Sequence, residues 1–326
     1  MKTIVKKRNG AGRLAHVMVG ALFGVATLQS AMASVNIAQA PLFVAPAIDP
    51  NIMFLIDDSG SMHWEVTPDD WVQPYYMFPR TTGNYGGGGD YTNSVPSFRD
   101  DASRSTNERF TAAFYRSSSG NATYYNPAVT YTPWARGDGT FFPNANPTAA
   151  YHHPVRTSRG SRNLTTNNSQ SATWYTCSPS HSCSSTDATR TFYPAVYYFY
   201  NGGGLGNPSN YTKVEIRSTT PNYTGHGREN RTDCAGATAS PPRCTYAEEI
   251  QNFANWYTYY RSRLLSAQAG IGRAFAQQKE EMRVGFGAIN QGSSTIDGVN
   301  TETIQRGVRP FSGTDREQFF DLLYTR

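Results

Sequence analysis

The stretch Asn51-Ile52-Met53-Phe54-Leu55-Ile56-Asp57-Asp58-Ser59-Gly60-Ser61-Met62 decides the fold. Five apolar side chains give way abruptly to two carboxylates and then to two hydroxyls at alternate positions. A run this apolar over so few residues reads as a buried strand of an open α/β sheet, too hydrophobic to have a wet face. In such sheets ligands gather outside the carboxyl ends of the strands, and Asp57 falls at that end. Asp57, Ser59 and Ser61 occupy a strand-to-helix turn in which side-chain oxygens two residues apart can point to one spot, with Gly60 letting the backbone bend tightly. Oxygen-only ligands with few charges suit a hard divalent cation, Mg2+ or else Mn2+ or Ca2+. Magnesium would sit about 2.1 Å from its ligands, with other positions left to water or to a partner's carboxylate. The competing reading is that Asp57 and Ser59 merely cap the following helix.

Outward from this stretch the chain divides into composition zones. Residues 63–244 are crowded with Gly, Ser, Thr, Asn, Pro and Tyr, while residues 245–326 return to ordinary globular patterning. There, Ile250, Phe253, Tyr257, Tyr260, Leu264, Ala267, Ile271 and Ala274 recur in steps of three and four, predicting one long amphipathic helix with a kink or break at Gly270 and Gly272. Residues 282–289 and 303–311 read as strands separated by a polar loop, and residues 314–324 as a helix with Thr314 as N-cap and Glu317 as its capping-box partner. The order strand, helix, strand, strand, helix suggests an open α/β sheet.

The 326 residues, 38% hydrophobic and 13% aromatic, suffice for one large or two ordinary domains with a core. The net charge of +5 arises from Lys2, Lys6, Lys7, Arg8 and Arg13; beyond residue 33, 24 basic residues balance 24 acidic ones. The basic balance therefore gives no reason to expect a nucleic-acid partner. The basic start, the apolar residues 14–28 and Ala31-Met32-Ala33 read as a signal peptide over residues 1–33, with a weaker second cleavage site at Ala38–Ala40 before Pro41. The apolar stretch is shorter than the roughly 20 residues a membrane span needs, so no span is expected in the mature chain. Cys177, Cys183, Cys234 and Cys244 fit an oxidising compartment. Three pairings are possible, and local closure, 177 with 183 and 234 with 244, is the most economical; no Cys-x-x-Cys pair points to zinc.

The stretch from Phe54 to Met62 resembles the metal-ion-dependent adhesion site of von Willebrand factor type A domains, whose doubly wound, Rossmann-like sheet carries a magnesium ion at its top. The resemblance implies coordination by Ser59 and Ser61, and by Asp57 directly or through water. Tyr125-Asn126-Pro127-Ala128-Val129-Thr130-Tyr131-Thr132-Pro133-Trp134, Asn252-Phe253-Ala254-Asn255-Trp256-Tyr257-Thr258-Tyr259-Tyr260-Arg261 and Arg283-Val284-Gly285-Phe286 look like the PilY/PilC family of type IV pilus assembly and tip-adhesion proteins, in which an exported type A domain precedes a β-propeller. The chain departs from that family in length. The Thr and Asp that complete the metal site in type A domains are expected beyond Arg326, and the propeller is absent, so the sheet and its site read as partial. The expected organisation is residues 34–62 as first strand and metal loop, 63–244 as a long insertion, and 245–326 as main helix, two strands and second helix.

In the insertion, the many aromatic residues argue against plain disorder, the glycines at 86–89 and 202–204 mark joints, and Arg outnumbers Lys 22 to 2 after residue 33. With Tyr, Ser and Asn this is the palette of adaptable binding surfaces. Arg136-Gly137-Asp138 invites an integrin-binding reading, although Gly-Asp-Gly is also an ordinary turn. His152 and His153 cannot both face one metal from a strand. Asp57-Asp58 lacks a nucleophile or third group at useful spacing for acid/base chemistry. The leading expectation is a non-enzymatic factor of the type IV pilus system. It is exported through the periplasm to the outer membrane, cell surface or pilus tip, and binds pilins or minor pilins, or host or abiotic surfaces. A pilus-independent adhesin on the same domain is the alternative, and a secreted metal-dependent hydrolase using Asp57 the more distant one.

Overall fold

The computed structural model describes residues 48–68, 73–80 and 94–326; the expected signal peptide and the glycines at 86–89 lie outside them. The strands in chain order are β1 (Asn51–Ile56), β2 (Ser94–Pro96), β3 (Ala150–Tyr151), β4 (Ser161–Arg162), β5 (Asn168–Cys177), β6 (Cys183–Phe192), β7 (Val196–Tyr200), β8 (Tyr211–Glu215), β9 (Asn222–Thr224), β10 (Arg243–Thr245), β11 (Arg283–Ala288), β12 (Ser294–Ile296), β13 (Val299–Thr301) and β14 (Ile304–Pro310). The α-helices are α1 (Thr106–Tyr115), α2 (Tyr246–Tyr259), α3 (Arg263–Ala276) and α4 (Gly313–Tyr324). The architecture is mixed α/β, and residues Asp49–Arg326 form one compact unit.

The sheet that leads into the Asp57–Ser61 stretch has the order β1-β11-β14. β1 runs parallel to β11, from Asn51 opposite Arg283 to Ile56 opposite Ala288, and β14 returns antiparallel. Phe54 meets Phe275 of α3 at 5.4 Å, Phe286 of β11 at 6.0 Å and Phe319 of α4 at 6.1 Å, so both helices pack on one face. The expectation that β1 has no wet face is corrected here. Ile52, Met53 and Leu55 are 38%, 44% and 49% exposed, because β1 is an edge strand. Met53 and Leu55 lean over Gly285 and Gly287, where an added Cβ would fall 2.6 Å from Met53 Cε and 2.9 Å from Leu55 Cδ1.

The single long helix is also corrected. The chain breaks between α2 and α3, at residues 260–262, where Ser262 caps the new helix by accepting from Leu265 N at 3.2 Å. The break resets the apolar stripe, so α3 buries Leu264, Leu265, Gln268, Ala269 and Gly272. Gly272 serves packing: a Cβ there would lie 1.9 Å from the Tyr324 hydroxyl oxygen. α4 starts one residue earlier than expected, with Ser312 at its N-cap, so the Thr314–Glu317 capping box does not form. Such a box does start α2, between Thr245 and Glu248.

The described residues of 63–244 contribute to the same core rather than standing apart from it. Asn252 accepts from Tyr131 N at 2.7 Å and donates to the Val129 carbonyl at 2.8 Å; Asn255 accepts from Ala145 N at 2.9 Å and donates to the Tyr131 carbonyl at 2.9 Å. Trp256 Nε1 donates to the Thr123 carbonyl and Trp134 Nε1 to that of Tyr259, at 3.0 and 2.9 Å. Amides on one helix face thus satisfy the backbone of an irregular segment that has no ladder of its own. The aromatic blocks at 125–134 and 252–261 are the two sides of one seam.

Candidate functional site

β1 delivers its last residues to the carboxyl end of the sheet, where the extended chain sends alternate side chains opposite ways. Asp57 is exposed, and its Oδ1 accepts the Ser59 N–H at 2.9 Å, a bond that holds the carboxyl below its ordinary pKa. Asp58 turns inward: Oδ1 accepts the Asn290 N–H at 2.7 Å, just past β11, and Oδ2 lies 3.7 Å from Arg326 Nη1. One carboxylate faces solvent and the other ties the loop to the neighbouring strand.

The Ser59 and Ser61 hydroxyl oxygens are 3.3 Å apart. The helix that follows is a single 3-10 turn, Gly60–His63, and the Ser59 side chain makes no capping bond to it. A pure capping role therefore does not account for Ser59. Asp57, Ser59 and Ser61 supply one carboxylate and two hydroxyls on one short loop, a donor set suited to a hard cation that keeps much of its water. Among the described residues no group of three His, Cys, Asp or Glu side chains is placed to hold a metal, so an ion at this loop would rest on the hydroxyls and Asp57.

The exit of the loop is anchored in the core by Glu65, which is fully buried, accepts the Met77 N–H at 2.6 Å, and pairs with Arg80 and Arg261. Between these anchors lies His63, whose pKa is pushed down to about 4, first by burial and then by Arg80 and Arg159, with Asp58 opposing and Arg156 adding. Arg156 donates to the Thr325 carbonyl, and Arg326 Nη1 donates to Gln291 Oε1 at 2.6 Å. Nothing local in the sequence marks Asn290, Arg156, Arg159 or Arg326 as neighbours of the loop; Asn290 is 232 positions from Asp58.

The other expected residues fall elsewhere. Both disulfides form as expected, Cys177–Cys183 closing the β5–β6 hairpin and Cys234–Cys244 tying the segment before α2. Arg136, Gly137 and Asp138 form a tight turn packed on α4. Gly137 accepts from Arg316 Nε at 2.7 Å, Arg136 lies over the Phe142 ring at 4.7 Å, and Asp138 Oδ1 accepts from Thr140 N and Oγ1 at 2.9 and 2.7 Å. Arg136 and Asp138 are exposed but already engaged within their own turn. His152 and His153 are both buried and serve different partners: His152 Nδ1 meets the Tyr257 hydroxyl at 2.8 Å, and His153 Nδ1 accepts from Val155 and Arg156 N–H groups at 3.2 and 3.1 Å.

Over nearly its whole length the chain is similar to "Type IV pilus biogenesis factor PilY1" of Pseudomonas aeruginosa. With the strain PAK protein it is 26% identical over 324 residues, covering 96% of this chain and 22% of that one. The family-level resemblance to PilY1-type factors holds. The PilY1 proteins of strains UCBPP-PA14 and PAO1 match at 26% and 25% identity, covering 90% and 96% of this chain. The chain spans about a fifth of the length of these curated relatives. No family profile and no solved structure matches. Among the described residues no helix is long and apolar enough to cross a membrane.

Proposed function

We propose that the chain acts within an exported type IV pilus biogenesis factor, where a von Willebrand type A-like sheet presents a metal-dependent adhesion loop to a binding partner without turning it over. The observation that carries this reading is the convergence of Asp57, Ser59 and Ser61 at the carboxyl end of β1, with Ser59 not spent on capping. Ser59 and Ser61 hold the ion directly, and Asp57 does so directly or through water. The ion, when bound, supplies a hard point of attachment that a partner's carboxylate completes. Similarity to PilY1 factors supports the pilus system as the setting. Pilins or minor pilins, and host or abiotic surfaces, are the proposed partners. Two disulfides suit passage through an oxidising periplasm on the way to the outer membrane, cell surface or pilus tip.

Two measurements test the proposal. Calorimetric titration of the purified protein with Mg2+ and Mn2+ is expected to give binding that Asp57→Ala abolishes. In cells carrying Asp57→Ala at normal protein levels, loss of surface pili places the loop in assembly, and normal pili with lost attachment places it in adhesion. Unchanged pili and unchanged attachment sink the mechanism.

A further inference from the structure

β6 runs ten residues, Cys183–Phe192, and lies at the edge of the sheet β2-β5-β6. Its pairing with β5 is regular, from Cys177 opposite Cys183 to Asn168 opposite Phe192. Among the described residues no strand or isolated bridge takes its other side. Such an edge turns alternate N–H and C=O groups to solvent, ready to pair with another strand. Other sheet edges among the described residues are shorter or broken. β1 spans only Asn51–Ile56, β2 only Ser94–Pro96, β8 carries Lys213, and β14 has register shifts and ends in Pro310. β6 has none of these guards, for its sequence Cys183-Ser184-Ser185-Thr186-Asp187-Ala188-Thr189-Arg190-Thr191-Phe192 contains neither Pro nor Lys. Its charged side chains both turn back over the sheet. Asp187 Oδ1 accepts from Thr173 Oγ1 of β5 at 2.7 Å. Arg190 Nη1 donates to Ser97 Oγ at 2.9 Å, with its guanidinium 5.4 Å from the Trp174 ring. The Ala188 carbonyl accepts the Trp174 indole N–H at 2.7 Å, again from β5. Ser184, Ser185, Thr186, Asp187, Thr189 and Thr191 are exposed.

We propose that β6 pairs with the β6 of a second copy of this chain, antiparallel about a twofold axis at Ala188, joining two β2-β5-β6 sheets into one. The sequence of the strand selects both the occupant and the register. Twofold pairing sets each residue opposite one on the same face of the sheet, so the centre falls on a residue. Centring on Asp187 or on Arg190 puts like charges face to face, which is destabilising. Centring on Thr189 pairs only residues 186–192. Centring on Ala188 pairs Ser184 through Phe192, with Asp187 opposite Thr189, Ser185 opposite Thr191 and Thr186 opposite Arg190. Hydroxyls then meet hydroxyls or a carboxylate, and no like charges stand opposed. One pair of strands buries little area, so the association is weak and depends on concentration. The inference does not rest on the metal loop.

Sedimentation velocity of the purified chain over a concentration series reads the association, and thermal melts confirm folding of each variant. The parent is expected to pass from monomer to dimer as concentration rises. Thr189→Asp sets a carboxylate opposite Asp187 of the second copy and is expected to lose the dimer. Thr189→Lys sets an ammonium there and is expected to form the dimer at lower concentration. Under mild oxidation the double variant Ser185→Cys/Thr191→Cys is expected to give a covalent dimer that neither single variant gives. Opposed Cα atoms of an antiparallel pair fall within disulfide reach. Should Thr189→Asp fail to fold, the cysteine pair carries the test. A parent that stays monomeric at every concentration overturns the proposal. So does a dimer that responds alike to both Thr189 variants, and its loss in Leu55→Lys would place the contact on β1 instead. None of the β6 substitutions touches Asp57, Ser59 or Ser61, so Mg2+ titration of the same variants separates failure here from failure of the metal loop.

Discussion

The edge strand β1 and the seam between residues 123–145 and α2 are buried in inverse order to their hydrophobicity. In β1, the most apolar run of the region, Ile52, Met53 and Leu55 stay 38%, 44% and 49% exposed. In the seam, where Tyr, Asn, Thr and Pro dominate, Tyr124, Tyr125 and Trp134 are at 1% or less. The difference teaches that burial here follows the satisfaction of polar groups as much as apolar area. Tyr124, Tyr125, Trp134 and Trp256 each bring a hydroxyl or N–H to a defined acceptor, as Tyr124 does to the Val196 carbonyl at 2.7 Å, so burying them costs little in lost hydrogen bonds. β1 has neighbours on one side only, and its apolar character alone cannot create a second layer.

The largest effect that would sharpen this comparison is at Glu249, fully buried on α2. It accepts from Tyr125 at 2.8 Å, Arg228 at 2.7 Å and Arg231 at 3.0 Å. Glu249→Ala leaves buried Arg228 without its carboxylate and Arg231 with Asp233 alone, and is expected to cost about 3–5 kcal/mol in chemical denaturation. A loss under about 1 kcal/mol would show that the seam is held by area and not by its polar pairs.

The next effect is one of pH. His152 and His153 are buried as neutral rings, pushed down to about 2 and about 3 by burial and then by neighbouring arginines. In the unfolded chain each takes up a proton near its ordinary value of about 6.5. The unfolded state therefore binds more protons below that pH, and stability falls as pH drops from about 6.5 toward 3, by about 1.4 kcal/mol per pH unit for each ring. Thermal melts between pH 7 and 5 check this, and a flat profile would mean that the imidazoles are solvated. The smallest effect belongs to β1. Leu55→Ser is expected to change stability by no more than about 0.5 kcal/mol, and a loss of several kcal/mol would show that the outer face of the sheet is covered.

Much of this was legible locally. The strand at 51–56, the two strands and helix that follow residue 282, and both disulfide pairings come from patterns within a few residues: an apolar run, alternation, and cysteines 6 and 10 positions apart. The helix break at 260–262 was not legible, because Gly270 and Gly272 offer the stronger local signal. Gly272 turns out to be small for the sake of Tyr324, which lies far along the chain. The arginines misled for a related reason. Arg116, Arg162, Arg228 and Arg231, in the stretch read as a binding surface, are buried in the core, satisfied by carbonyls and carboxylates that no spacing rule predicts.

For the candidate site, the sequence by itself determined the donor set. Asp57, Ser59 and Ser61 sit within five positions, and their convergence needs only an extended chain that runs into a single 3-10 turn; Gly60 itself has no positive φ, and a side chain there would meet nothing. Tertiary structure alone decided what surrounds them. Asp58 turns inward to Asn290 and Arg326, Glu65 fixes the loop's exit, and Arg156 and Arg159 arrive from the middle of the chain. Short-range geometry is written in backbone periodicity, which a sequence displays. Long-range charge is written in which surfaces pack together, and that depends on how every aromatic ring and amide along the chain finds its partner.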